Sequence, residues 1–412
     1  MAKKQLKTKQ FFILIFLLLL LPVLIISAQT IISLLGQASG IPANLAIDYN
    51  SDLGPINKNW QALAQGGEEK SSLLTGVVND IRNLSPRYIR IDHIYDLYEV
   101  VKRNGDGSLD MDFSRLDIVV DDILTTGALP FISLSYMPSA ISGSDVTGGA
   151  KNWAEWRFLI QKSVEHYSGR EGDGKNLSNV YYEVWNEPDL FGSWKTYGSK
   201  NYLDLYRETV IGAGSAGNVN SYKIGGPATT GFYPGWMKSL LEFCRTNSLR
   251  IDFLSYHRYT KEVDVFANDL GELGNVLNEF PEYQNLEIII SEWGSDPENN
   301  PIHDTNFDAI HAIAAIRKMI DKVNLAFTFE IKDGPGDQEY WGRWGLITHD
   351  KFGLHKKPKY YAISFLNRLD GQRLRVDGEG THVMALSTKN GATAKVLVVN
   401  YDFRAFFSSF CN

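Results

Sequence analysis

Residues 179–194 read NVYYEVWNEPDLFGSW. The valines and tyrosines of this stretch predict a buried β-strand over residues 180–184. Pro188 has no N–H group to donate to a neighbouring strand, so sheet pairing has to end before it. The strand therefore stops at an amide and a carboxylate, Asn186 and Glu187. Polar side chains where a buried parallel strand ends are typical of an active site.

Seven other short runs of apolar and β-branched residues are similar to this strand, and amphipathic segments separate them. The predicted strands are 45–47, 88–91, 129–134, 180–184, 223–224, 251–255, 286–290 and 325–329, and the helical segments include 70–83, 153–167, 202–212, 235–247 and 306–323. Apolar strands that alternate with helices indicate a parallel sheet covered by helices. Eight such units predict an α/β fold, a (β/α)8 TIM barrel over residues 39–370. A doubly wound sheet is the alternative, but no glycine-rich phosphate turn follows the first strand.

The N-terminal segment, residues 1–38, has the pattern of an export signal. Four lysines between residues 3 and 9 precede an apolar run over residues 11–26. A basic flank followed by an apolar core is typical of signal peptides and of N-terminal membrane anchors. Both alternatives stay open, and both predict an extracytoplasmic protein, either secreted or anchored to the membrane.

Residues 371–412 are predicted to form a short accessory β-region. Strands at 383–387 and 395–399 flank Asn390-Gly391, a strong hairpin signal. Because two strands cannot bury a core alone, they either pack on the barrel together with N-terminal residues or begin a β-domain that is incomplete here. The closing stretch FRAFFSSFCN shows no strand pattern and is interpreted as a truncated end or a hydrophobic tail.

Charge and cysteine content exclude several classes of function. The chain has 412 residues and a formal net charge of −7, so no basic stripe is available to bind nucleic acid. Its two cysteines, Cys244 and Cys411, do not have the spacing of a zinc site. We therefore predict no metal, no organic cofactor and no nucleic-acid partner, and the oligomeric state stays open.

A second strand end repeats the first pattern. The run LEIIISEWGSD, residues 286–296, is an apolar strand that ends in Glu292. The fourth and seventh strands of a barrel end at the same mouth, so Glu187 and Glu292 are expected to face each other. Hydrolysis of a glycosidic bond requires such a pair, one carboxyl group as acid and one as nucleophile or base. By strand alternation, Glu183, Trp185 and Glu187 are expected to share one face, with Glu183 buried beside a polar or basic partner.

The two strand ends resemble those of a known enzyme family. YYEVWNEP and IIISEWGS are similar to the acid/base and nucleophile strands of glycoside hydrolase family 39, the β-xylosidase and α-L-iduronidase family of retaining (β/α)8-barrel glycosidases. Further matches, in the same order along the chain, are PFISLSYMP at 130–138, KIGGPAT at 223–229, DFLSYHRY at 252–259 and WGLITHDKFGLHKKPKYYAISFLNRL at 344–369.

The resemblance implies a carbohydrate substrate, with Glu187 as the general acid/base and Glu292 as the nucleophile. Glu292 has to stay ionised, so it needs hydrogen-bond donors, for which Arg90 and Tyr259 are the candidates. Asn186 is placed to bind the 2-hydroxyl of the reacting sugar.

Four more side chains are predicted to bind the sugar. His257 is expected to line the subsite beside the acid. Trp293, Trp341 and Trp344 are expected to be stacking platforms, because the C–H faces of sugar rings pack on aromatic rings.

Two departures from the family pattern bear on the choice of sugar. An Arg-x-His-Gly pattern on the second strand is replaced by residues 90–93, RIDH, and Thr-Phe-Ser-Asp on the eighth is replaced by residues 328–331, TFEI. A β-xylosidase-like enzyme and an exopolysaccharide endo-glycosidase both stay open. The alternatives to hydrolysis are a non-catalytic carbohydrate-binding barrel and a transglycosylase of the same fold.

Overall fold

The computed structural model describes residues 40–404 apart from 68, 70–72 and 173, together with Leu20 and Ser27. The predicted signal or anchor therefore lies almost wholly outside the described residues, as does most of the closing stretch. Within the part that is described, no helix has the length and apolar character needed to cross a membrane.

The strands of the described residues are, in chain order, β1 (Ala46–Pro55), β2 (Ala62–Gln65), β3 (Tyr88–Ile91), β4 (Val101–Arg103), β5 (Leu109–Met111), β6 (Leu129–Ser133), β7 (Val180–Glu183), β8 (Tyr222–Thr229), β9 (Phe253–Tyr259), β10 (Glu287–Gly294), β11 (Leu325–Phe329), β12 (Gln372–Asp377), β13 (Val383–Asn390) and β14 (Thr393–Asn400). The α-helices are α1 (Val78–Arg82), α2 (Ser114–Thr126), α3 (Trp153–Ser168), α4 (Tyr202–Gly214), α5 (Pro234–Asn247), α6 (Asp264–Asn278), α7 (Asn306–Met319) and α8 (Pro358–Leu366). Several helices begin at a side-chain cap: Asn152, Asn201 and Thr305 each accept a hydrogen bond from a backbone N–H of the first turn of α3, α4 and α7.

Eight parallel strands close into a barrel in the order β2-β3-β6-β7-β8-β9-β10-β11, which confirms the predicted (β/α)8 fold. The first of them is Ala62–Gln65, so the prediction that residues 45–47 form the first barrel strand is wrong. The fourth and seventh strands are β7 and β10, as predicted. The strand ends that carry Glu187 and Glu292 therefore open at the same mouth.

The barrel has two apolar layers. Its interior pairs the small side chains of Ala62 and Ala64 with the large rings of Phe131, Phe253 and Phe327, all of them buried. A second, larger layer fills the space between the strands and the surrounding helices. Because both faces of the barrel strands are buried, most of their residues are apolar on either face.

The remaining long strands form an antiparallel sheet in the order β1-β12-β13-β14. The predicted hairpin is present, and its turn contains Gly391 with a positive φ of 58°. β1 pairs with β12 and completes this sheet, so residues from the N-terminal part of the chain do pack with the accessory strands. The sheet packs on α7: Arg317 donates to both oxygens of Glu379, and the ring of Tyr401 contacts Phe307.

Candidate active site

Glu187 and Glu292 meet at the mouth of the barrel. A carboxylate oxygen of each, together with a ring nitrogen of His257, form a group in which all three atoms lie within 4.8 Å of one another. Glu292 lies on β10, whereas Glu187 follows the end of β7 with a positive φ of 44° and is held by a hydrogen bond of 2.9 Å from its N–H to the carbonyl of Ala228.

The chain after β7 does not keep the predicted alternation. Trp185 has a positive φ of 73°, which turns its ring into the layer between strands and helices, where it packs against Trp156 and Trp194. The prediction that Glu183, Trp185 and Glu187 share one face is therefore wrong. Glu183 lies in the barrel, where it accepts a hydrogen bond from Arg90, in agreement with the basic partner expected for it.

Glu292 is held by the two donors that the sequence named. Arg90 Nη1 lies 2.7 Å from its Oε1, and the hydroxyl of Tyr259 lies 2.8 Å from its Oε2. Burial raises the pKa of Glu292; the positive charges of His257 and Arg90 act in the opposite direction, and the negative charge of Glu187 raises the pKa further. Glu292 is thus a buried carboxylate that needs its cationic neighbours to remain ionised.

Arg90 is fully buried and joins three residues of the site through three 2.7 Å hydrogen bonds. Its Nε donates to Glu183, its Nη1 to Glu292 and its Nη2 to Asn186 Oδ1. Burial alone lowers the pKa of Arg90, but the carboxylates of Glu183 and Glu292 reverse this effect and raise it. The planar guanidinium can bind three acceptors at fixed angles, which lysine cannot do.

Tyr136, which the sequence analysis did not select, fixes the other side of Asn186. Asn186 Nδ2 donates to the tyrosine hydroxyl over 2.8 Å, and that hydroxyl lies 3.2 Å from the carbonyl of Asn186. Tyr136 follows the third barrel strand in PFISLSYMP. Its position just after a strand end could have marked it in the sequence as a candidate site residue. Between Arg90 and Tyr136, Asn186 is left with one amide hydrogen for a ligand.

His257 lies between the two glutamates. Its Nδ1 is 2.8 Å from Glu187 Oε1 and 3.6 Å from Glu292 Oε2, and the side chain is fully buried. Burial alone lowers the pKa of His257, but the charge of Glu292 and the hydrogen bond to Glu187 raise it above the ordinary value. His257 therefore lies close to both glutamates, and it is hydrogen-bonded to Glu187, the residue for which the acid role is predicted.

Glu187, His257 and Glu292 are the one group of described residues whose spacing suits a metal ion. Their donor set of one imidazole and two carboxylates is one that divalent cations use. However, Arg90 already supplies a positive charge 2.7 Å from Glu292, and a second cation there would be repelled. The arrangement favours proton transfer and nucleophilic attack.

The glutamate pair forms the floor of an open cleft of about 660 Å³. This volume lies within the range of about 300–1,000 Å³ that is usual for ligand sites. Among the residues described, the walls contain polar and aromatic side chains but neither lysine nor arginine. The lining comprises Gly66, Gly67, Asp92, His93, Asn186, Glu187, Leu190, Phe191, Thr230, Tyr259, Glu292, Pro297, Glu298, Phe329 and Trp344.

The three tryptophans predicted as stacking platforms lie in different places. Trp344 lines the cleft, with its Nε1 donating to the carbonyl of Asp296 over 2.9 Å. Trp293 is fully buried and packs against Phe266 on α6, because Glu292 points into the barrel and its neighbour on the strand points outward. The prediction for Trp293 is therefore wrong. Trp341 lines a separate cleft nearby.

Comparison with known proteins identifies what the chain is similar to. The model of the family described as glycosyl hydrolases family 39 matches residues 43–400. A β-xylosidase of Caldicellulosiruptor saccharolyticus is 28% identical over 81% of this chain and 73% of its own, and a β-xylosidase of Geobacillus stearothermophilus is 28% identical over 83% and 74%. A solved structure of a family 39 β-xylosidase from Caulobacter crescentus superposes with a TM-score of 0.72 at 25% identity, over 85% of this chain and 80% of that one.

Proposed function

As this chain belongs to glycosyl hydrolases family 39 and is a glycoside hydrolase, we propose that it cleaves β-xylosidic bonds with retention of configuration. The observation that carries the proposal is that a carboxylate oxygen of Glu187 and one of Glu292 lie within 4.8 Å of each other. Retaining enzymes hold their carboxyl groups about 5–5.5 Å apart, whereas inverting enzymes leave about 6.5–9.5 Å for a water molecule. The choice of sugar rests on the similar proteins, which are named β-xylosidases.

The reaction would proceed in two displacements. Glu292 attacks the anomeric carbon as the glycosidic C–O bond breaks, and Glu187 gives its proton to the departing oxygen. The products are an alcohol and an ester between the sugar and Glu292. Water then attacks the same carbon and gives a proton to Glu187, and the ester bond breaks to regenerate the carboxylate of Glu292.

The environment of the glutamates suits this exchange of roles. Glu292 in its ionised form faces Arg90 and Tyr259, both of which stabilise negative charge. Glu187 lies close enough to Glu292 to serve in both steps, first giving a proton to the departing oxygen and then taking one from water.

Asn186 supports the transition state in this proposal. Its Oδ1 is fixed by Arg90 and its Nδ2 by Tyr136, so the remaining amide hydrogen has a defined direction. A hydrogen bond from this group to the sugar 2-hydroxyl strengthens as positive charge develops at the neighbouring anomeric carbon.

Covalent labelling tests the proposal. The protein is incubated with a 2-deoxy-2-fluoro-β-xyloside that carries an activated leaving group, and its intact mass is measured. We expect one added sugar, mapped by peptide analysis to Glu292, and no addition to Glu292→Gln. The absence of a label on a protein shown by thermal melting to be folded would contradict the proposal and favour a non-catalytic binding barrel.

The acid limb of the pH profile gives a second prediction. Glu292 must be ionised to attack, and its pKa is raised, so kcat/KM is expected to fall as the pH drops through a value above the ordinary carboxyl range. The negative charge of Asp92, another cleft carboxylate, also raises this pKa, so Asp92→Asn should move the acid limb to lower pH. The profile is measured on an aryl β-xyloside with a good leaving group. Glu298→Gln should leave the limb in place, and an unmoved limb in Asp92→Asn would contradict the coupling.

We also propose that the enzyme acts outside the cytoplasm. The support is the basic and apolar pattern of residues 1–38, which fits either an export signal or an anchor. Cell fractionation of the full chain tests this proposal, and recovery of the activity in the cytoplasmic fraction would contradict it.

A further inference from the structure

A second cleft lies beside the first, in the segment between β11 and α8. It encloses about 640 Å³ and is lined by Pro335, Gly336, Asp337, Gln338, Trp341 and Lys351. Trp341 is half-buried, so part of its indole faces the cleft. The polar groups of the lining are a carboxylate, an amide and an ammonium group, and the two charges cancel. An aromatic surface with both donors and acceptors of hydrogen bonds suits a neutral sugar.

Arg343 connects this cleft to the catalytic one. Its guanidinium carbon lies 5.1 Å from the ring centroid of Trp341 and 4.4 Å from that of Trp344. The two indole centroids are therefore separated by no more than the sum of these distances, about 9.5 Å. A short oligosaccharide is long enough to contact both rings while it occupies the catalytic cleft.

The topology of the barrel indicates which end of the substrate reaches Trp341. The leaving group is protonated by Glu187, so it departs on the side of β7. β11 lies four positions from β7 in the ring of eight strands, which is the opposite wall. Trp341 and Trp344 both follow β11 in the chain and are therefore on the glycone side.

We propose that the cleft at Trp341 binds additional neutral sugar units on the glycone side, so that the enzyme cuts within a chain. This inference rests on the proposed function, because it extends the same substrate beyond the reacting sugar. An enzyme with one sugar-binding position on that side removes single terminal units. A second cleft on that side lets the reacting sugar carry further units of its chain.

The test compares a short and a long substrate. The probes are 4-nitrophenyl β-D-xyloside and xylohexaose labelled at its reducing end. For the wild-type protein we expect labelled tetraose and triose to form before labelled pentaose. Trp341→Ala should lower kcat/KM on the hexaose roughly tenfold, as for loss of an aromatic contact, and should leave the aryl xyloside unchanged. Trp341→Phe should recover most of the loss, since it keeps an aromatic surface.

Tyr340→Ala is the matched control, because Tyr340 is an exposed aromatic residue next in sequence that does not line the cleft. Stepwise release of single xylose units, with no selective effect of Trp341→Ala, would overturn the inference and leave the proposed function standing if the aryl xyloside is cleaved. An equal loss on both substrates would mean a structural role for Trp341 and would also overturn it. A wild-type protein that cleaves neither probe would contradict both proposals.

Discussion

Glu292→Ala is expected to lower kcat/KM by roughly 10⁴- to 10⁶-fold, the scale seen when a covalent nucleophile is removed. The loss should be the same on an aryl β-xyloside with a good leaving group and on xylobiose, because attack on the anomeric carbon is needed for both. The carboxylate lies at the junction of Arg90, Tyr259 and His257, so no other group is placed to replace it. Steady-state kinetics on the two substrates, with thermal melting to verify folding, measure the effect.

Glu187→Ala provides the contrast that assigns the two roles. General acid catalysis contributes about 10²- to 10⁴-fold, and a good leaving group departs without a proton. We therefore expect a large loss on xylobiose and a much smaller one in the first step on the activated aryl glycoside. Glu298→Gln controls for the loss of cleft charge and should change either rate only slightly. Equal losses on both substrates for Glu187→Ala would contradict its role as the acid.

The β-strands show how far the sequence predicts this fold. Seven barrel strands were found at or near their true positions, since most of them are rich in valine, isoleucine, leucine and aromatic residues. The first, Ala62–Gln65, was missed because its alanines carry little β-propensity. Its small side chains are needed where the phenylalanine rings of other strands fill the barrel. That requirement comes from tertiary packing, which local pattern does not contain. The run 45–47, LAI, was chosen instead, and its last two residues begin β1 of the other sheet.

The candidate active site shows a similar division. The meeting of Glu187 and Glu292 was predictable because both follow buried parallel strands, and the ends of such strands open at one mouth of the barrel. Whether the rings of Trp185 and Trp293 reach the cleft depends on the direction of each side chain. Alternation gives the wrong direction after β7, where Trp185 has a positive φ. For Trp293, alternation from Glu292 would have placed the ring outside the barrel. The prediction that it stacks on the sugar relied on its aromatic character alone and was therefore wrong.

Arg90→Met is expected to have the largest effect on stability. It leaves the carboxylate of Glu183 fully buried without its cation, and breaking a buried ion pair from one side costs about 3–5 kcal/mol. Chemical denaturation followed by tryptophan fluorescence measures the free energy of unfolding. Arg103→Met is the control, because Arg103 also pairs with a glutamate, Glu155, but does so at the protein surface. Such surface pairs contribute little to stability, so Arg103→Met should leave the free energy of unfolding almost unchanged.

A double variant separates the structural role of Arg90 from its catalytic role. Arg90→Met combined with Glu183→Gln removes both members of the buried pair, so much of the lost stability should return. Activity should not return, because Glu292 and Asn186 still lack the donor that Arg90 supplied to each. We expect kcat/KM to stay at least roughly 100-fold below wild type in both variants, on the scale of losing one electrostatic donor. If the double variant regained activity together with stability, Arg90 would serve only to neutralise Glu183, and Glu292 would be kept ionised by His257 and Tyr259 alone.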